Sequence, residues 1–345
     1  MLQGPLLPLL LLLLALSDGL QARPWKPVLA RLLLSSQLLI VGPGSSLAEP
    51  PSAAAAAIEP SDADNNLARI AFRDFDDKRL EAAEKEFSMA LARWADLHRP
   101  RDEIVSLLKA RANVLVDSKK FPEAVRDYDE ALRLMSSDGE KADGTASYPE
   151  YPDTFSGRAL AFEGLGQWDR ALTDYNKAVS LWGGGRGEGV NPYILTFRGN
   201  TLGKLGRYTE AIEDYKAAAD IFIAQRDTAR YSDAKANYAL ALYAVDRRDE
   251  ALKAMRDVIR RDAGYADMHA AVAVDSWDRG DYIKALKEWQ FTCDEISVGC
   301  DKYRDLEWVS IVRRWPPNLV AKLEAFLARR VPAGLEAGSE AGKRM

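Results

Sequence analysis

Gly199 to Ala218 read GNTLGKLGRYTEAIEDYKAA. The small residue Gly199 is followed by a glycine-bearing segment, Leu205-Gly206-Arg207-Tyr208, then by Ala211, by the aromatic Tyr215 four places on, and by Ala218 three further. Glycine enters the left-handed backbone region without a Cβ clash and so ends helices, which makes this stretch two helices joined by a tight turn. The same phrase recurs in both directions as Ala83–Phe87–Ala90, Ala124–Tyr128–Ala131, Ala171–Tyr175–Ala178, Ala251–Met255–Val258 and Ala285–Trp289–Thr292. Twelve residues before each leading alanine stands another small residue: Ala71, Ala112, Ala159, Gly199, Ala239 and Ala273.

Two antiparallel helices approach closely only where both lack bulk, and an aromatic between the small positions fills the groove toward the neighbouring hairpin. Leu165-Gly166-Gln167-Trp168 and Arg279-Gly280-Asp281-Tyr282 repeat the turn, each with an aromatic re-entering the next helix.

A repeating helical hairpin with small residues at repeat positions 8, 20 and 27 and an aromatic at 24 resembles the tetratricopeptide repeat (TPR) family. The resemblance implies an all-α, right-handed solenoid of about six hairpins over residues 65–295. The chain departs from the family in two ways. Spacings between leading alanines are 41, 47, 40, 40 and 34 residues, and the proline of position 32 is replaced by Ala95, Ser136, Gly183, Ile223 and Ala263. Inserted loops are therefore expected at Ser136 to Asp153 and Gly183 to Asn191.

The chain has 345 residues and a net charge of −5, with 47% apolar and 29% charged content, which is globular and offers no basic excess for nucleic acid. Two histidines and two cysteines leave little from which to build a zinc site, a His-dependent triad or a multi-disulfide scaffold. No catalytic, cofactor-binding or metal-binding residues are expected. The glycine run Gly183 to Gly189 has no Gly-Lys-Ser/Thr and no βαβ context, so it reads as an inter-repeat loop rather than a phosphate cradle.

Residues 1–64 read as a targeting presequence and disordered linker. Leu6 to Leu16 has the length of a signal hydrophobic region, and Gly19 to Ala48 is free of acidic residues and carries Arg23, Lys26 and Arg31 among serines. This order resembles the bipartite presequences of algal plastids, with the thylakoid lumen as a further destination; one secretory signal with a disordered leader is the alternative. No membrane span is expected in the mature chain. Residues 296–330 read as a C-terminal cap, with Pro317 opening a helix whose Leu319, Val320, Leu323, Phe326 and Leu327 share one face, and 331–345 as a disordered tail. The tail region with Arg313-Arg314-Trp315-Pro316-Pro317 is similar to the C-terminal segment of plastid TPR proteins. Cys293 and Cys300 are either two packed thiols or a short disulfide formed in an oxidising compartment.

The repeat register places Lys109, Asn113, Asn200, Asn237 and Tyr243 on first-helix positions that face the inner groove in the family, outside the core. Their amide, cation and phenol groups suit an extended peptide backbone. Arg313, Arg314 and Trp315 form a second candidate surface, with packing of the cap as its plainer use. Arg111, Arg158 and Arg198 share position 7 while Asp127, Asp174 and Asp214 share position 23, which predicts a structural Arg–Asp ladder. Lys109 with Asn113 opens the carboxylate clamp of heat-shock co-chaperones, but Gly157, Tyr193 and Phe197 stand where it would continue. A second start, Asn200 with Asn237, ends on Asp267 and Ala271, so neither register completes a clamp. The resulting expectation is a noncatalytic scaffold for a protein or extended peptide, an assembly or regulatory factor in the plastid, with a secreted or endomembrane co-chaperone as the alternative. The sequence leaves the oligomeric state open.

Overall fold

The computed structural model describes residues 62–136, 139, 147, 150–182, 190–294, 296 and 300–328. Nearly all of the presequence, the glycine run 183–189 and the tail 331–345 lie outside the described residues.

Every described element is helical. The first twelve helices pair as α1 (Asp62–Asp76) with α2 (Leu80–Asp96), α3 (Arg101–Asp117) with α4 (Phe121–Met135), and α5 (Glu150–Gly164) with α6 (Trp168–Leu181). They continue as α7 (Pro192–Lys204) with α8 (Tyr208–Ala224), α9 (Thr228–Ala244) with α10 (Arg248–Arg261), and α11 (Ala266–Asp278) with α12 (Tyr282–Asp294). A 3-10 turn (Asp301–Arg304), the short α13 (Leu306–Ile311) and α14 (Pro317–Ala328) follow. Helix α1 starts inside the stretch read from sequence as linker, and α5 starts at Glu150, inside the loop expected to reach Asp153. Polar residues supply the first turn of α1, and Pro152 interrupts the apolar pattern at the start of α5, so periodicity alone marks neither beginning.

The small-residue register is the core. Ala71, Ala112, Ala159, Ala239 and Ala273 on first helices, and Ala83, Ala124, Ala171, Ala211, Ala251 and Ala285 on second helices, are all fully buried. The aromatics between them, Phe87, Tyr128, Tyr175, Tyr215 and Trp289, are at most 5% exposed, and Met255 fills the same place in the fifth hairpin. At Gly199 a Cβ would sit 2.7 Å from the Tyr215 ring, so a side chain there would drive α7 and α8 apart.

The turns inside the hairpins share one geometry. Gly166, Gly206 and Gly280 are left-handed, and so are Lys78, Lys119 and Asp246 at the equivalent places. In each turn the next residue's N–H closes back five residues, as in Arg207 N to Leu202 O (2.8 Å) and Lys120 N to Leu115 O (2.8 Å). This is the Schellman stop, adopted here with and without glycine.

Successive first helices touch, α1 with α3 and α3 with α5, so they lie on the inside of the curve. The cap turns back onto that side. Helix α14 packs on α9, α11 and α13, and its Phe326 ring stands 5.3 Å from Trp277 and 4.9 Å from Trp289. The final helix therefore covers the last hairpin, as an amphipathic cap should, and also roofs the end of the concave face. Helix α11 is consequently buried from Ala266 to Trp277, between its repeat neighbours and the cap.

A candidate binding cavity between the concave face and the cap

Three kinds of polar residue stand on the first helices, and the structure sorts them. The arginines of the ladder are committed within the solenoid. Arg111, Arg158 and Arg198 each fork onto the aspartate of their own hairpin with Nε and Nη2, at 2.6 to 2.8 Å. The third nitrogen of each reaches back to the preceding hairpin, to Ser88 (3.1 Å), Asp129 (2.6 Å) and Asn176 (3.1 Å). Burial pushes Asp214 above the usual carboxylate range, and the bidentate Arg198 contact pulls the other way.

The asparagines of position 9 have one end in the core. Tyr128 donates its hydroxyl to Asn113 Oδ1 (2.5 Å) and Tyr215 donates to Asn200 Oδ1 (2.9 Å). Asn200 is buried, so the expectation that the groove residues stay outside the core is corrected for it. The shared cause is that the aromatic of position 24 carries a hydroxyl that must find an acceptor once buried. Leu160 holds the corresponding place in the third hairpin, and there the buried Tyr175 hydroxyl has the Glu163 carboxylate as its neighbour instead of an asparagine.

Tyr243 is corrected more strongly. It is fully buried, its hydroxyl donates to Asp275 Oδ1 (3.0 Å), and Asn318 Nδ2 of α14 donates to its backbone carbonyl (2.8 Å). The cap covers it, which first-helix register alone does not reveal. Lys109 and Asn113 are half-buried on α3, away from the cap.

The second candidate surface divides residue by residue. Arg313 is an anchor: its guanidinium grips Asp267 of α11, with Nε at 2.6 Å, and Tyr303 Oη donates to the same carboxylate at 2.8 Å. Trp315 is buried beside Tyr303, with ring centroids 5.8 Å apart, and its Nε1–H has no acceptor among the described residues. The use of these two residues in packing the cap is what the structure shows. Cys293 of α12 is joined to Cys300 by a disulfide, which ties the start of the cap to the last repeat.

Arg314 stands apart. Among the described residues its guanidinium makes no hydrogen bond or ion pair, and its backbone is left-handed, with φ 58°. A non-glycine residue in that region costs about 1–2 kcal/mol. It lines a cavity of about 460 Å³ between groove and cap. Helix α7 contributes Asn200 and Lys204, α8 Tyr208 and Tyr215, α9 Asn237 and Leu240, and the cap Arg314, Trp315, Val320 and Glu324. The two asparagines of the groove and two residues of the tail, read from sequence as separate surfaces, therefore meet in one place.

The electrostatics of the cavity favour negative charge. Burial, and then the proximity of Arg314, holds Lys204 below its ordinary value. Burial does the same to Arg314, with Arg313 acting in the same sense against the pull of Tyr215 and Glu163. Glu163, behind the cavity on α5, is pushed up by burial and accepts from Thr201 Oγ1 at 2.5 Å. Among the described residues of the cavity wall, the one carboxylate is that of Glu324, which is exposed.

Sequence reasoning missed Lys204, Tyr208, Leu240 and the α14 residues of this wall. One signal was present. Asp267 is a charge within an otherwise apolar helix start, and a buried carboxylate calls for a cation from elsewhere in the chain. Among the described residues no group of three or more His, Cys, Asp or Glu side chains could hold a metal ion, and no helix is long and apolar enough to cross a membrane.

Comparison with known proteins bears on this architecture. A family model described as tetratricopeptide repeat matches residues 192–222, which are α7 and most of α8. The small glutamine-rich tetratricopeptide repeat-containing protein 2 of Mycosarcoma maydis is 28% identical over 117 residues, covering 33% of this chain and 27% of that protein. The match thus spans about a quarter of that relative's length. A solved structure of nearly identical TPR-like repeats from Podosopora anserina superposes with a TM-score of 0.50 at 15% identity, over 60% of this chain and 98% of that one, a likeness of fold.

Proposed function

Because this chain is a tetratricopeptide-repeat protein, we propose that it is a noncatalytic scaffold that holds an extended polypeptide segment along its concave face, ending in the cavity beneath the cap. Tetratricopeptide-repeat proteins are generally protein-interaction scaffolds, and the observation that supports this site is the convergence of Asn200, Asn237 and Arg314 on one cavity. Ala321 supplies the test, because it is exposed and lines the cavity, so a large side chain there fills the cavity without entering the core. Affinity capture on the immobilised protein should recover a partner that Ala321→Trp loses at unchanged thermal stability. Equal recovery by the two proteins would remove the cavity from the account.

The role we assign is assembly or regulation of a plastid complex, supported by the acid-free Gly19 to Ala48 stretch after the first apolar run. The Cys293–Cys300 disulfide suits an oxidising compartment, which the thylakoid lumen and the secretory pathway both provide. That observation keeps a secreted or endomembrane co-chaperone as the second reading. A fluorescent fusion of Met1 to Asp64 entering the plastid supports the first, and its release into the medium would establish the second.

A further inference from the structure

We infer that the Cys293–Cys300 disulfide is a redox latch on the cap, and that its reduction by a dithiol frees residues 300–328 to leave α9 and α11 and to take one wall of the cavity with them. The inference rests on the scaffold reading above and adds a control to its site.

The bond sits where the repeat design stops. The Arg–Asp ladder runs from the second hairpin to the fourth; at the equivalent places stand Tyr238 and Ala254 in the fifth hairpin, and Val272 and Glu288 in the sixth. Both cysteines of the chain lie at the next junction, Cys293 in the last turn of α12 and Cys300 directly before the 3-10 turn. The Cys300 carbonyl accepts from Tyr303 N (3.0 Å), so the cross-link fixes the turn that carries Tyr303. Tyr303 reaches Asp267 of α11 through its hydroxyl, and its ring lies 5.5 Å from Trp308 and 5.8 Å from Trp315, a residue of the cavity wall. The disulfide thus bears on the cavity through one side chain.

The other fastenings of the cap open without breaking a covalent bond. Arg313 grips Asp267, Asn318 donates to the Tyr243 carbonyl, and Phe326 packs against Trp277 and Trp289. Lys322 pairs with Asp278 at 2.6 Å, but both side chains are partly exposed and such a pair contributes little. A cross-link across a short loop stabilises chiefly by limiting the open state. Seven residues separate the two cysteines, and removing a link of that span should raise the open fraction of the cap about tenfold or more. Two thiols pack as small apolar groups in the same places, so the docked cap keeps its contacts and reduction alters how often they break.

Access gives the reaction its order. Cys300 is 7% exposed and packs in one core with Tyr303 and Trp289, while Cys293 is half-buried at the edge of that core. A thiolate of the dithiol attacks Cys293 Sγ, forms a mixed disulfide there and expels Cys300 as a thiolate, which takes up a proton. The second thiol of the reductant then attacks the mixed disulfide and releases Cys293. Two electrons and two protons pass to the pair, and the dithiol leaves as its own disulfide. The oxidised chain therefore holds the cavity closed around its partner, and the reduced chain lets the partner go.

The test uses the full chain, with dithiothreitol as the dithiol. Without denaturant the reductant should release both cysteines as free thiols, counted by reaction with a chromogenic disulfide. Hydrogen exchange of residues 300–328 should then quicken about tenfold or more while α1 to α8 exchange as before, and reoxidation should restore the slow rate. The double variant Cys293→Ser, Cys300→Ser should exchange like the reduced chain and ignore dithiothreitol. The comparison of the two wild-type states needs no substitution and decides the matter where the variant fails to fold. Thiols released only in denaturant, equal exchange of the cap in the two states, or lost protection spreading into α1 to α8 would overturn the inference. So would a response of the double variant to dithiothreitol, or retention on the reduced chain of a partner that Ala321→Trp loses. If Ala321→Trp loses the partner while dithiothreitol neither elutes it nor quickens the cap, the scaffold reading stands and the latch alone falls. If dithiothreitol quickens the cap but Ala321→Trp keeps the partner, the latch stands and the cavity leaves the scaffold reading.

Discussion

Single residues show where this fold carries strain and where it has removed it. Lys119 and Gly206 hold equivalent left-handed turn positions, φ 60° and 74°, and a Cβ at Gly206 would meet nothing within 4 Å. The cost of carrying a Cβ in this conformation is then the only difference between them. Gly206→Ala should destabilise by about 1–2 kcal/mol in urea unfolding, and Lys119→Gly should stabilise by a smaller amount, because glycine also frees the unfolded chain. A second residue-scale prediction concerns acid. The hydrogen bond to His269 Nδ1 (2.6 Å) holds the Glu288 carboxyl below its usual value. A carboxylate depressed in the folded state contributes stability above its unfolded pKa, about 4.3, and loses it as pH falls through the folded value. Glu288→Gln should therefore be less stable than wild type near neutrality, and thermal melts of the two should converge as the pH is lowered. The ladder was legible at this scale because Arg and Asp recur at fixed offsets. The Tyr–Asn bonds were not, because an asparagine at an inward position reads equally well as a ligand donor.

Among the elements, the cap determines what the groove can do. Asp267 accepts from both Tyr303 and Arg313, and these contacts with the disulfide draw residues 300–315 against α11. Asp267→Asn should cost about 2–3 kcal/mol, less than the roughly 3–5 kcal/mol of a fully buried pair because the Arg313 side chain is 34% exposed. The damage should be local. Tryptophan emission should shift red as Trp315 is uncovered, and limited proteolysis should begin in the cap while α1 to α10 stay protected. An unchanged cap in this variant would mean that apolar packing of Leu319, Leu323 and Phe326 suffices. The final helix could be read from its apolar spacing and Pro317. Its docking back over α9 could not, since helix periodicity gives the face to be buried but not the surface that buries it.

At the scale of the molecule, six hairpins of one design make a curved array in which each unit contacts its neighbours, and the cap breaks that pattern by bridging α9, α11 and α13. The repeats were readable because small residues at fixed offsets are a packing requirement that the sequence must state openly. The cavity was half readable. Asn200, Asn237 and Arg314 were each singled out, yet they lie far apart along the chain and only the fold-back of the cap brings them together. Scaffold, groove and cap therefore stand or fall on whether a ligand touches all three at once. Hydrogen exchange of the full chain, with and without the partner recovered by affinity capture, tests this directly. The account predicts added protection confined to residues 200–208, 237–241 and 310–324 together, and protection elsewhere, or in one of these segments without the others, would contradict it.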